Sequence, residues 1–511
     1  MRLLNATGTA QANLQELSNG NLFTGLAVQS GTSVMDPLGN ILHTQCYAID
    51  TLLAIQSAKK YSDNEFYFAG AYYKDTCTVN GLGTITKMYP VIGRMDSLGN
   101  ILSVNHYSLN SPACSNGAGD LEVLNDNSAI AWGRGGMFFA LKADATGTVV
   151  WAKRFDYSGG FKFIKELPGG DLLAGINMYS AGAVIARLDP NGNILWCKSY
   201  IRPKGMVNDC VVESDDSFII TGYTDSLAST NVFEPIPPDY HPKLFIMNLN
   251  GSGDVQWCKG YDSAPYLWYV RRGSPIVKTQ DGNYAVLANL AVIGYNDSYR
   301  PFLMKTDING DTLWTRSNGR TNYTYETMSL LSYSDGGFLF NGRILGDLPE
   351  GEGSFAYLFK TDSLGHLPCD ERYHPVEISD LFPTDSSFTL MSIDGAIALP
   401  ASIHDTIYPP ITQYDGCTFL PTGMPPTTRR PEKPRVYPNP TTGHFTVQFS
   451  DPLMAESYYS VYDAMGRLLY QRPLPTGATA EEIDLSRFGK GTYVIKLTDP
   501  DGVCHERVVL E

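Results

Sequence analysis

Short apolar runs alternating with polar residues at a period of two fill this chain, and polar turns interrupt them at close intervals. In 203–261 the segments VNDCVVES, SFIITGY, KLFIMNLN and DVQWCKGY show the pattern. Successive side chains of an extended strand point to opposite faces, so such alternation predicts half-buried strands. A helical period of 3.6 is not sustained anywhere. The turns fall into two kinds, and both recur.

The first kind reads MDPLGNILHTQCY (35–47), MDSLGNILSVNHY (95–107), ADATGTVVWAKRF (143–155), LDPNGNILWCKSY (188–200), LNGSGDVQWCKGY (249–261), TDINGDTLWTRSN (306–318) and TDSLGHLPCDERY (361–373). Its glycines, at 39, 99, 147, 192, 253, 310 and 365, recur on average about every 54 residues, near the period of propeller repeats. The second kind lies upstream of each copy: SNGNLFTG (18–25), SDNEFYFAG (62–70), NDNSAIAWG (125–133), PGGDLLAG (168–175), SDDSFIITG (214–222), QDGNYAVLA (280–288) and SDGGFLFNG (334–342). One unit therefore holds two hairpins, hence four strands.

An Asp at the head of such a turn accepts backbone N–H groups, and a Gly three positions on supplies positive φ, so the motif reads as a hairpin turn. DPNGN also resembles the start of a calcium loop, but the bidentate Glu at position 12 is missing and the copies vary in carboxylate content. TDINGDTLW resembles a lengthened form of the Asp-box turn of sialidase-type propellers; that box is a structural hairpin, so the likeness bears on architecture alone. The expected fold is all-β: a β-propeller over 1–374, with seven blades favoured and eight allowed. Residues 375–417 form a terminal segment that caps or completes it.

Two hairpin turns of a blade emerge on one face, and the remaining links on the other. The links on that second face are long and dissimilar, as in 224–242, 262–274, 318–328 and 345–353. Binding surfaces are commonly built from such loops. The candidate ligand-binding residues are Tyr266, Trp268, Tyr269, Arg271, Arg272, Tyr323 and Tyr325, and loop packing is the competing reading of the same rings. Cys77 with Cys114, and Cys369 with Cys417, are candidate disulfides. Cys197, Cys210 and Cys258 fall inside strands and read as buried thiols.

Composition narrows the function classes. Net charge is −15, and the one dense basic cluster is TTRRPEKPR at 427–435, which argues against a nucleic-acid partner. No run of 18 apolar residues is present, and MRLLNATGTA has no apolar core of a signal peptide. The eight His form no HxH or HExxH, and the nine Cys form no close CxxC pair, so neither a metal nor a cofactor is expected. No nucleophile elbow or phosphate loop occurs. Arg271, Arg272, Arg320 and Tyr323 could be forced into a sialidase-like site. Neighbouring Arg271 and Arg272, however, would point opposite ways on an extended backbone. No catalytic residue is assigned, and an enzyme is the less favoured reading.

After 417 the composition shifts to a Pro- and Thr-rich linker over 418–435, and 436–511 reads as a small β-sandwich. VYPNPTTGHFTVQF (436–449), VYDAMGRLLY (461–470), IDLSRFGKGTYVIKL (483–497) and the closing RVVLE follow one another in a distinctive order. That order resembles the type A C-terminal sorting domain of type IX secretion. The resemblance carries Pro438, Asn439, Pro440, Gly443, Gly466, Gly491 and Tyr493 as sorting-signal positions. It implies handling by the type IX secretion machinery, removal of a leader absent from this sequence, and a secreted or cell-surface, outer-membrane exterior destination. Cleavage of the sorting domain and attachment to lipopolysaccharide are further implications of the family. The function expected is an adhesin-like exported propeller that binds a glycan or protein ligand through its long-loop face. The alternatives are a glycan-active enzyme sited at the channel mouth and a structural subunit of a surface assembly.

Overall fold

The computed structural model describes residues 2–5, 14–26, 31–48, 53–79, 83–109, 117–135, 137–155, 157–178, 182–200, 205–224, 242–263, 267–268, 274–291, 299–319, 323–345, 354–367, 371–400, 404–406, 412–415, 434–449, 457–463, 468–475, 477–499 and 502–511. The chain divides into two compact units, Met1–Phe419 and Leu420–Glu511. Among the described residues every regular element is a strand.

The first unit is a propeller of seven antiparallel sheets. Blade 5 shows the plan. Met206–Val212 is innermost, followed outward by Phe218–Tyr223, Leu244–Leu249 and Val255–Asp262. The two middle strands are buried on both faces and read as nearly continuous apolar runs. Val255–Asp262, at the edge, alternates. Consecutive blades clasp apolar clusters between them, such as Phe163, Phe218 and Phe245 between blades 4 and 5. Each such buried side chain is worth about 1.5–3 kcal/mol. A last cluster, with Leu14, Leu22, Met35, Leu339 and Leu358, joins blade 7 to blade 1 and closes the ring.

The recurring turns have one geometry. In the first, Asp36 Oδ1 accepts the amides of Leu38 and Asn40 at 2.9 and 2.8 Å, and Gly39 N donates to Asp36 O at 2.9 Å. All seven motif glycines have positive φ. The residue types that close the motif also have a use. Tyr47, Tyr107, Tyr200 and Tyr261 each donate a phenol hydrogen bond to the carbonyl of the next blade's turn glycine: Gly99, Gly147, Gly253 and Gly310, at 2.5, 3.0, 2.6 and 2.5 Å. The motif tryptophans lie over the next blade's turn, Trp196 Nε1 donating to Gly251 O at 3.3 Å, and Trp314 is also buried in the cluster between blades 6 and 7.

Blade 7 departs from the repeat. Its outer strand is Arg2–Asn5, paired with Ser354–Lys360, not the segment after the seventh turn. Pro368 follows that turn by three residues and has no N–H for a ladder. Tyr333 Oη, donating to Gly20 O at 2.5 Å, adds a polar pin across the closure.

The segment read as a cap or partial blade is a belt. It runs around the rim in the order opposite to the blades. Arg372 bridges Ser317 of blade 6. Glu377–Asp380, Ser386–Ser387, Ile393–Asp394, Ala396–Pro400, His404–Thr406 and Thr412–Asp415 then pair with the outer strands of blades 5, 4, 3, 2, 1 and 7. Lys153 holds Asp394 at 2.8 Å and Lys198 holds Asp385 at 3.1 Å, tying the belt to strands of blades 3 and 4. The belt covers edges that would otherwise offer unpaired backbone groups.

The second unit is a sandwich. Arg435–Tyr437, His444–Gln448 and Ala480–Asp484 form one sheet; Leu468–Leu474, Ser457–Asp463, Gly491–Asp499 and Gly502–Leu510 form the other. Phe445, Val447, Val461, Ile483, Ile495 and Val508 fill the space between them.

Candidate functional site

The two faces of the propeller differ in construction. On one face the hairpins close in five-residue turns, as at Leu17–Asn21 and Asp36–Asn40, where the first amide donates to the fifth carbonyl. On the other face the connections are longer. The link between Tyr223 and Leu244 occupies 224–243, and in blade 2 the two middle strands, Glu65–Val79 and Gly83–Asp96, run to 15 and 14 residues. This extended hairpin carries Cys77. Near its end Tyr89 Oη donates to Asp75 Oδ2 at 3.0 Å, and Lys87 lies over the Tyr89 ring.

Of the residues assigned to the long-loop surface, two are corrected. Trp268 is 3% exposed; its Nε1 donates to Tyr261 O at 2.8 Å and its ring meets Phe302 edge-on. Tyr325 is fully buried in the cluster between blades 6 and 7, against Tyr357 and Phe359. Both begin or interrupt innermost strands, where an aromatic ring has a blade interface to fill. Tyr323 is half-buried against the same cluster. Tyr266, Tyr269, Arg271 and Arg272 lie outside the described residues, as do Arg320, Cys114, Cys369 and Cys417. Cys197, Cys210 and Cys258 are buried free thiols, and burial pushes Cys197 and Cys258 up to about 12, leaving them protonated at neutral pH.

A feature the sequence reading missed lies on the axis. The innermost strands enclose a cavity of about 420 Å³. Lys59, Asp120, Glu122, Lys162, Lys165 and Asp209, from blades 2 to 5, supply its charged wall. Leu14, Pro275, Met328 and Leu331, from blades 1, 6 and 7, supply the apolar one. Register shifts in the strands of blades 2, 3, 4, 5 and 7 insert an extra residue, Lys162 and Met328 among them, and re-aim the side chains there.

The charges are partly matched. Lys165 Nζ lies 3.3 Å from Glu122 Oε2. Burial works against the Lys165 ammonium, but the carboxylates of Glu122, Asp209 and Asp120 outweigh it and hold its pKa above that of an ordinary lysine. Asp120 Oδ1 accepts Ser57 Oγ at 2.5 Å and its neighbour's amide at 2.8 Å. Asp209 accepts one backbone amide on each oxygen, from Cys210 at 2.9 Å and Ile276 at 3.1 Å. Burial still drives its carboxyl above the usual carboxylate range, with Lys165 and the two amides opposing. The signal available in sequence was a charged residue inside an innermost run, as in LAIQSAKK or GGFKFIKE.

In the sandwich, Asn439, one of the positions that the resemblance assigns to the sorting signal, is bonded to the last strand. Asn439 Nδ2 donates to Arg507 O at 2.6 Å, and Val509 N donates to Asn439 Oδ1 at 2.9 Å. Thr441 continues the pairing, with Thr441 N to Val509 O at 2.8 Å and Glu511 N to Thr441 O at 2.9 Å. The peptide bonds before Pro438 and Pro440 are cis. Gly443 has φ of 144°, and a Cβ there would meet Ser486 at 2.9 Å. Tyr493 Oη donates to Gly489 O, in the turn that leads to the Gly491–Asp499 strand. Gly466 lies outside the described residues. The YPNP stretch and the C-terminal strand thus form one structural element although residues 441–501 separate them.

Comparison with known proteins agrees with this second unit. Residues 435–511 match the family described as the secretion system C-terminal sorting domain, the signal of type IX secretion. That domain directs export to the cell surface or to the medium. No curated protein matches the chain. Among solved structures, streptogramin B lyase is 13% identical, with 71% of this chain and 97% of that one covered at a TM-score of 0.43. A Bacteroides caccae protein of unknown function is 13% identical, covering 62% and 93% at 0.35. Kuenenia stuttgartiensis hydrazine synthase is 12% identical, covering 59% and 78% at 0.40.

Proposed function

We propose that this protein is an adhesin-like β-propeller, displayed on the outer-membrane exterior or released, that binds a glycan or protein ligand through its long-loop face. The type IX machinery is its export partner; cleavage of the sorting domain with attachment to lipopolysaccharide is part of the proposal. The asymmetry of the two faces carries the reading. One face is uniform five-residue turns, and the other holds the extended blade 2 hairpin and the long links. Tyr266, Tyr269, Arg271 and Arg272 remain the proposed contacts, joined by the exposed Lys74, Thr84 and Thr86 of the hairpin.

We place a Cys77–Cys114 bridge in the same face. Cys77 is disulfide-bonded, and Cys114 belongs to the link leaving the same blade. Peptide mapping without reduction checks the pairing. Cys369 with Cys417 is retained as a second proposed bridge, open to the same mapping.

A glycan array and a surface-protein panel, probed with the full chain, test the function. Tyr266→Ala with Tyr269→Ala, Arg271→Ser and Arg272→Ser is expected to abolish the signal, and so is Lys74→Glu with Thr84→Arg and Thr86→Arg. Binding unchanged in both variants overturns the loop-face assignment. Trp268→Ala is unsuitable, since it would empty a blade core.

One observation favours the structural-subunit reading alongside. The belt displays large apolar side chains to solvent: Phe382 at 88% exposure, Met391 at 70% and Ile397 at 67%. Light scattering on the wild type and on Phe382→Ser/Met391→Ser/Ile397→Ser decides it, because only a rim-mediated assembly would dissociate in the variant.

A further inference from the structure

The axial cavity has the chemistry of a small-molecule site separate from the long-loop face. Its volume of about 420 Å³ lies within the range of ligand pockets. Lys59 lines it, and within the described residues its ammonium makes no hydrogen bond and no ion pair. Asp209, on blade 5, feels the charge of Lys165 and, more weakly, that of Lys59, yet among the described residues it forms an ion pair with neither. Each Asp209 oxygen accepts a single backbone amide and keeps a lone pair. Among the described residues, neither this ammonium nor this carboxylate has a counter-charge at contact distance. One ligand carrying both charges supplies both.

The rest of the lining fixes the remainder of that ligand. Opposite the charged wall stand Pro275, Met328, Leu331 and Leu14. A purely ionic guest would leave this surface unmatched, and a purely apolar one would strand Lys59. A net anion is also disfavoured by the −15 charge of the chain.

We propose that the cavity binds a small zwitterion with an apolar body, of the class of apolar amino acids and their dipeptides. Lys59 receives the carboxylate, Asp209 receives the ammonium, and the side chain packs on Pro275, Met328 and Leu331. The Lys165–Glu122 pair completes the polar wall beside them.

The dipeptide L-phenylalanyl-L-leucine serves as the probe, titrated calorimetrically into the full-length protein. Its N-acetyl and C-terminal amide derivatives each lack one charge. The parent dipeptide is expected to bind, and each blocked form to bind at least tenfold more weakly. Lys59→Met should weaken the parent at least tenfold and abolish discrimination against the amide, leaving discrimination against the N-acetyl form. Its thermal unfolding should stay close to that of the wild type, since among the described residues Lys59 makes no hydrogen bond and no ion pair. Asp209→Asn should give the converse pattern. Absence of binding by the parent, equal binding of all three compounds, or a Lys59→Met variant that binds as the wild type does overturns the proposal. Loop-face variants leave this titration unchanged, so the two sites fail or stand independently.

Discussion

Glycine at the repeated turns illustrates how much a single position can carry. Gly310 combines φ of 81° with crowding, since a Cβ would lie 2.9 Å from Trp257 and 3.0 Å from Tyr261 Oη. Gly170 has a similar φ of 86° with nothing within 4 Å. Urea unfolding should show Gly170→Ala costing about 1 kcal/mol, the conformational penalty alone. Gly310→Ala should cost about 2–4 kcal/mol, because it also displaces the pin from blade 5. Equal losses would mean that the inter-blade contact is idle. Asp126 gives a pH test. Burial pushes its carboxyl up, but the Lys142 ammonium and the Ser128 hydroxyl and amide outweigh that and hold it at about 2. The folded state therefore prefers the ionised form. The resulting stability is present above the unfolded value of about 3.9 and is lost as pH falls toward about 2. Melting curves of the wild type and Asp126→Asn should differ at pH 6 and converge near pH 2.

At the scale of the element, what sequence reveals depends on how far apart the partners are. The Asp-to-Gly turns were legible because their hydrogen bonds close within five residues. Four of the seven motif copies end in a Tyr that pins the next blade, a role invisible until the neighbour is placed. The outer strand of blade 7 was not legible: RLLN is four residues long and pairs with residues 356–358. The belt strands, some only two residues, are too short to show any alternation. The axial charges come from blades that meet only when the ring closes. Trp268 and Tyr325 were misassigned because an aromatic residue in a long connection and one opening an inner strand look alike in a single sequence. The belt itself can be tested. Leu390, 7% exposed, anchors it in the cluster between blades 3 and 4. Leu390→Asp should accelerate hydrogen exchange over 377–400 while Leu172–Met178 and Phe218–Tyr223 stay protected. Uniform acceleration would show that the belt and blades melt as one.

For the whole molecule, the division at Phe419 predicts two independent folding units, each with its own apolar core. Trypsin should cut after Arg429, the Arg430–Pro431 bond being resistant, before any site within a sheet. The purified fragments should each reproduce one of the two thermal transitions of the intact chain. A sorting unit that unfolds once separated would contradict this. The opposite sense of belt and blades has a mechanical corollary. Tension applied from the C-terminal side reaches Thr412–Asp415 first, then His404–Thr406, then Ala396–Pro400, travelling back along the rim. Arg2–Asn5 lies between Ser354–Lys360 and that first-loaded strand, so it keeps its inner neighbour when the outer one is stripped. A tethered copy would thus spend its outermost wrapping, a few hydrogen bonds at a time, as a sacrificial fuse before load reached the sheets beneath.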